Sequence, residues 1–308
     1  MKKKICTIFP AFGNEYVGNE KEIISKYSNI ANDYINVASD LLEIDFKNID
    51  FIQDNNSFDE LLSQYLTYIF SCIISNILKN NKVNLSEHMA GYSMGIYAAL
   101  YHAESISFKN GLLLIQNAYK FIIDSLNNQK FCLGTVIGLD YNDLNEIIKK
   151  NNLIYTNIIN VNNKHSLVVS GIKEQIKIVI EKSKDEGALS AKILPITAPY
   201  HSNFLKDAAG SFKKFLEKIK FKKPIYKFIS SFNQKELNNI NEIKTELTNN
   251  IYINHNWYNT MNKLINLKHN NFFECGPGKS LFKIGKFIDG NFKIYTLKSF
   301  DKIIKNEY

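Results

Sequence analysis

A serine held between two glycines, Gly91-Tyr92-Ser93-Met94-Gly95, puts narrow limits on the backbone around it. Glycine on both sides suits a sharp strand-to-helix turn, because no side chain fits where such a turn meets neighbouring backbone. The flanks agree: a polar run, Asn84-Leu85-Ser86-Glu87-His88, leads in, and helix-favouring Ile96-Tyr97-Ala98-Ala99-Leu100 leads out. A helix begun here aims its N-terminus at the serine, so negative charge developing there meets free backbone N–H groups. The pentapeptide therefore reads as a nucleophile elbow. An ordinary glycine-flanked turn uses the same residues, so a base has to be found elsewhere in the chain.

With 308 residues, 45% of them hydrophobic, the chain can bury a large core as one big domain or two smaller ones. The longest apolar candidate for a membrane helix, 65–78, is interrupted by Ser71, Ser75 and Asn76 and falls short of the ~20 residues needed. Met1-Lys2-Lys3-Lys4 resembles the start of a signal peptide, but the apolar part behind it is short and runs into Pro10, Gly13 and Asn14. It reads as a first strand, and a cytoplasmic location without membrane attachment is expected. Cys6, Cys72, Cys132 and Cys275 are far apart and lack metal-ligand spacing, so they are expected to be reduced and buried, with no metal bound. The formal charge is +8, yet the lysines are dispersed and no basic run is interleaved with aromatics, which argues against nucleic acid. All 38 of the Lys+Arg residues are lysine. Bidentate guanidinium chemistry is thereby excluded.

Along the chain, 4–9 reads as a buried strand, apolar residues recur at helical spacing over 20–54 and 57–79, and a further helix covers 107–126. The texture then changes to strand 131–138, helix 142–151, strand 154–160, strand 166–171, helix 173–186 and strand 190–194. That β-α-β-β-α-β order is the split pattern of a ferredoxin-like unit. Beyond it come a helix to 218, a strand near 226–230, helices at 243–252 and from 257, and the rigid turn Gly276-Pro277-Gly278.

Of six histidines, His201 stands out because it follows Pro199 where the chain leaves the β-α-β-β-α-β unit. With it, several motifs in the right order resemble the malonyl-CoA:acyl carrier protein transacylase family. Phe9-Pro10-Ala11-Phe12-Gly13-Asn14-Glu15 is similar to the family's Phe-Pro-Gly-Gln-Gly-Ser-Gln loop, and the elbow to its Gly-His-Ser-Leu-Gly. Asn162 with Val168-Val169-Ser170-Gly171, Pro199-Tyr200-His201-Ser202, and Glu274-Cys275-Gly276-Pro277-Gly278-Lys279 extend the resemblance over nearly the whole chain.

The resemblance implies Ser93 as nucleophile and His201 as its base, with backbone N–H groups of Phe12 and Met94 forming the oxyanion hole. It implies that Asn250, seven residues before Trp257, steadies the histidine through its carbonyl. Asn162 is expected to reach a bound acyl thioester or to close a turn, and His165 is a weaker candidate for the cleft; His88, His102, His255 and His269 are expected to be structural or superficial. Family members selective for malonyl groups carry an arginine in the long helix after the elbow. Gapless matching puts Ala118 at that position, and a one-residue slip puts Asn117 there. Tyr92, Ile96 and Phe12 replace more polar family residues, and with Ala118 and Tyr200 they are expected to make the substrate pocket suit an acyl group that is not a dicarboxylate.

The substrate would be a phosphopantetheine thioester on acyl carrier protein or CoA, with no bound cofactor, and dispersed lysines would suit an acidic carrier. Transfer to acyl carrier protein in polyketide or fatty acid biosynthesis, or hydrolysis of stalled acyl chains, are the enzyme readings; a malonyl transacylase or a non-catalytic binder of acyl groups or carrier protein is the lesser alternative. The expected architecture is α/β: a hydrolase-like large domain, 1–128 and 196–308, with a mostly parallel sheet, and an inserted ferredoxin-like subdomain, 129–195, with the site between them.

Overall fold

The computed structural model describes residues 4–12, 20–48, 59–127, 129–305 and 307. Its strands are β1 (Ile5–Phe9), β2 (Leu85–Gly91), β3 (Phe131–Ile137), β4 (Thr156–Asn163), β5 (Ser166–Ile172) and β6 (Ser190–Leu194). Four shorter ones follow: β7 (Lys227–Ile229), β8 (Glu236–Leu237), β9 (Asn271–Glu274) and β10 (Lys293–Tyr295).

The larger sheet runs β10-β9-β1-β2-β7-β8, parallel throughout except for the β7–β8 pair. Every residue of β1 and the last four of β2 are buried, as a parallel sheet covered on both faces requires. Residues 84–88, read as a polar lead-in, are mostly strand: Ser86 and His88 are buried, while Glu87 stays exposed. The helix Glu60–Asn80 is capped by Asp59, whose carboxylate accepts from the Leu62 N–H at 2.7 Å. By length and composition this helix could cross a membrane, but 83% of its apolar window is buried inside the protein, so it serves as a core helix.

The periodicity over 20–54 resolves into two helices, Glu20–Lys26 and Ser28–Leu42, and a short 3₁₀ turn, Phe46–Asn48. The second helix stops at Glu43, whose φ of 56° is left-handed and incompatible with continuing. Residues 49–54 of that expected stretch, and 57–58 of the next, lie outside the described residues. The 107–126 expectation corresponds to the helix Phe108–Asp124, capped by Ser107. The strands β8 and β10 went unread because each has only two or three residues, too short for a period-2 pattern.

The smaller sheet is antiparallel in the order β4-β5-β3-β6, with helices Tyr141–Lys150 and Lys173–Asp185 in the expected β-α-β-β-α-β sequence. Strand alternation sorts its side chains onto two faces. Cys132, Val136, Ile158, Leu167 and Val169 form a core with the two helices. Leu133, Ile159 and Val168 point the other way and gather Leu194 and Ile196 into a small apolar wall. The sheet is tied to the larger body by a parallel bridge: the His255 N–H donates to the Ile159 carbonyl at 2.8 Å, and Val161 N–H to the His255 carbonyl at 3.4 Å. All four cysteines are free and buried.

Candidate active site

The elbow is built by close backbone approach. β2 ends at Gly91, the helix Gly95–His102 begins four residues on, and the Tyr92 N–H is fixed to the Phe9 carbonyl at 2.8 Å. A Cβ on Gly91 would lie 2.5 Å from the Ile96 nitrogen, and one on Gly95 would lie 2.2 Å from the Phe9 oxygen, so neither position accepts a side chain. Between them Ser93 is left-handed, with φ of 54°. For a residue with a Cβ this costs about 1–2 kcal/mol, held in place by the Gly95 N–H to Tyr92 carbonyl and Ile96 N–H to Ser93 carbonyl bonds.

His201 follows β6 and is also left-handed, with φ of 58°. Its N–H donates to the Ile251 carbonyl at 2.9 Å, which anchors it to the larger body rather than to the small sheet. Its Nε2 lies 2.8 Å from Ser93 Oγ, a full hydrogen bond of the length a nucleophile and its base require. Burial pushes the imidazole down to about 4, opposed by the Asn250 backbone carbonyl, which favours the protonated ring. That carbonyl contact falls short of a full hydrogen bond, since Nδ1 has no partner of good geometry among the described residues. The Asn250 side chain is buried in the helix Ile240–Tyr252, at the cavity wall.

The pH dependence follows directly. A base with a depressed pKa stays neutral, hence competent, until the pH falls to that value, so acyl-enzyme formation should stay flat from pH 8 to 5 and lose half its rate near pH 4. Rapid-mixing acylation rates across this range check it; an acid limb near 6.5 would mean that His201 is not buried as described.

Beside the dyad opens a cavity of about 240 Å³. Phe12 and Met94 line it next to Ser93, and among the described residues neither backbone N–H is committed to another acceptor. Ala118, Tyr119 and Ile122 from the helix Phe108–Asp124 form one wall, and Leu133, Ile159, Val168 and Leu194 from the small sheet, with Ile196 just after it, form the facing one. Tyr92, Tyr97, Tyr200 and Ile251 add to the apolar surface, with Gln64, Asn160, Asn250 and Ser280 as polar groups. Among the described residues no lysine, aspartate or glutamate lines it. The dyad, both expected oxyanion donors, Asn250, Ala118, Tyr92 and Tyr200 thus come together in one place.

Three expected pocket residues do not reach the wall. Ile96 is buried inside the helix that leaves the elbow, packed in the main core. Asn117 turns its amide back to the Leu113 carbonyl at 2.8 Å, one turn earlier. Asn162 is buried behind Tyr92, accepting its hydroxyl at 2.8 Å and the Asn160 amide at 3.1 Å, so Asn160 takes the place at the cavity. His165 sits in the β4–β5 turn away from the cavity lining, and Gly13-Asn14-Glu15 of the first loop motif lie outside the described residues.

His255 is more than a superficial residue: it is buried, and its ring centroid lies 4.0 Å from that of His201. Burial, reinforced by His201, holds it well below the usual histidine range. Its place two residues before Trp257 carried no signal of this contact. Gln64 and Tyr119 were likewise missed, because helical periodicity alone does not say which turn of a core helix faces a cleft.

No protein-family model matches the chain. Among curated proteins it is 26% identical over 297 residues to the malonyl CoA-acyl carrier protein transacylase of Bacillus subtilis, a match covering 94% of this chain and 92% of that one. Among solved structures it is similar to the malonyl CoA-acyl carrier protein transacylase of Coxiella burnetii, with TM-score 0.90, 23% identity, and 99% and 97% of the two chains covered. It is also similar to a malonyl-transacylase solved in complex with its type II polyketide synthase acyl-carrier protein, with TM-score 0.91, 21% identity, and 99% and 100% covered. These relatives bear the name of the family that the sequence motifs resemble, and the solved structures share the fold.

Proposed function

We propose that this relative of the malonyl CoA-acyl carrier protein transacylases is a serine acyltransferase that passes acyl groups lacking a carboxylate between phosphopantetheine thioesters. Ser93 Oγ attacks the thioester carbonyl while His201 Nε2 takes its proton, and the oxyanion is received by the Met94 and Phe12 N–H groups. Collapse breaks the C–S bond, His201 returns the proton to the departing thiolate, and the acyl group stays on Ser93. A carrier-protein thiol then reverses the sequence from the same position. A cytoplasmic location goes with this reading, and the net charge of +8 favours encounter with an acidic carrier.

The observation that carries the choice of acyl group is the cavity wall. Ala118, the position matched from the motifs to the family's arginine, lines it, the neighbouring surface is apolar, and no cation among the described residues faces the space. Leaving a carboxylate there without a partner costs several kcal/mol, whereas a hydrocarbon chain gains about 25 cal/mol per Å² buried.

The test is incubation with acetyl, butyryl and malonyl thioesters, following intact-protein mass and then addition of a carrier protein. Acetyl or butyryl adducts on Ser93, moved to the carrier thiol, are the expected result. Equal loading by malonyl thioester overturns the acyl assignment, and release of free acid in place of carrier loading makes the protein a hydrolase.

A further inference from the structure

We propose that Glu60 is a specificity determinant of this site: its carboxylate, held behind Tyr200 at the cavity wall, turns away acyl groups that end in a carboxylate. The inference rests on the reading of Ser93 as the carrier of an uncharged acyl group. It adds an element that works independently of position 118, since an alanine there withholds attraction while a fixed like charge supplies repulsion.

Glu60 opens the helix Glu60–Asn80. One carboxylate oxygen accepts the Tyr200 hydroxyl at 2.5 Å, and the other accepts the Thr197 N–H at 3.1 Å and the Thr197 hydroxyl at 3.3 Å. These partners orient the half-buried carboxylate, and all of them are neutral, so none of them cancels its charge. Tyr200 in turn accepts the Gln64 amide at 3.1 Å. With its single proton committed to Glu60, the phenol has no donor left for a guest in the cavity. A carboxylate entering beside Tyr200 would therefore find a lone pair in front of it and an anion directly behind.

The field of that anion reaches the wall. Burial raises the Tyr200 hydroxyl well above its ordinary range, and the charge of Glu60 is the next contribution. Tyr119, on the wall beside Ala118, is raised by burial and then by Glu60 and Asp59. A phenolate at either position and a bound carboxylate are anions in the same space, so what opposes one opposes the other. Acetyl and butyryl groups carry no charge and escape the effect.

The experiment compares acylation of Ser93 by malonyl and acetyl thioesters in the wild type, Glu60→Gln and Glu60→Lys, read as the malonyl-to-acetyl rate ratio within each protein. Using a ratio removes any general loss from a disturbed helix start, which would lower both substrates together. Glu60→Gln should raise the ratio about three- to tenfold, the size of a unit charge acting across roughly 8 Å in a medium between protein and water, and Glu60→Lys should raise it further. A ratio that stays within twofold in both variants, with the wild type preferring acetyl, overturns the role of Glu60 and leaves the acyl assignment standing. A wild type that loads malonyl as fast as acetyl, or loads neither, overturns the acyl assignment and this role with it.

Discussion

Ser93→Ala should abolish the covalent acyl adduct and lower acyl transfer by roughly 10⁴- to 10⁶-fold, as expected when the nucleophile of a dyad is removed. The base loses its partner at the same stroke, because His201 Nε2 makes its 2.8 Å contact with Ser93 Oγ. The fold should survive. Alanine keeps the Cβ, so the left-handed φ of 54° costs about what it does for serine, and the elbow's backbone hydrogen bonds do not involve the hydroxyl. Intact mass after exposure to an acyl thioester, paired with a thermal melt, separates the two effects. An adduct on the Ser93→Ala protein would move the nucleophile elsewhere in the chain.

Gly95→Ala should do the opposite: it leaves every chemical group in place and still removes activity, by loosening the structure. The new methyl would sit 2.2 Å from the Phe9 carbonyl oxygen and 2.8 Å from that of Pro10, both backbone atoms on the neighbouring strand's exit. Nothing flexible is available to give way. β1 must separate from the elbow or the helix Gly95–His102 must slide, and either movement breaks the Tyr92 N–H to Phe9 carbonyl bond. We expect a loss of about 3 kcal/mol or more, at the upper end of overpacking costs, together with loss of the Ser93–His201 contact. Denaturant unfolding and the acyl-adduct assay measure the two parts, and near-native stability would mean that the glycine is not required for packing.

The two substitutions mark what the sequence made legible. Gly91 and Gly95 are informative because their reason is steric and local: the backbone atoms they must clear belong to the same turn or to the strand beside it. The β-α-β-β-α-β order was equally readable, since six elements with clear alternation or helical periodicity follow one another with short connections. The meeting of Ser93 with His201, 108 positions apart, has no local signature. Motif resemblance supplied it, and the 2.8 Å contact now gives it a geometry.

The pocket residues were harder for a related reason. Whether a side chain on a buried helix faces a cavity depends on how that helix is rolled against its neighbours, so Ala118 faces the space while Asn117 turns to its own backbone. Along β4 the pairing register shifts at two points, which makes a choice between Asn160 and Asn162 impossible from alternation alone. His255 was hidden because its burial comes from the bridge to β4, a pairing between segments almost a hundred residues apart.

The anchoring of His201 has a consequence for how such an enzyme can change. Its backbone is bonded to Ile251, so Ser93 and His201 both belong to the larger body, whereas Leu133, Ile159, Val168 and Leu194 line the cavity from the smaller sheet. The reacting pair and one wall of the cavity are thus carried by separate pieces of the molecule. Substitutions on one face of the small sheet can lengthen, shorten or reshape the space for the acyl chain without displacing either reacting atom. A lineage starting here could drift from one acyl group to another through single steps, each leaving a working catalyst behind it.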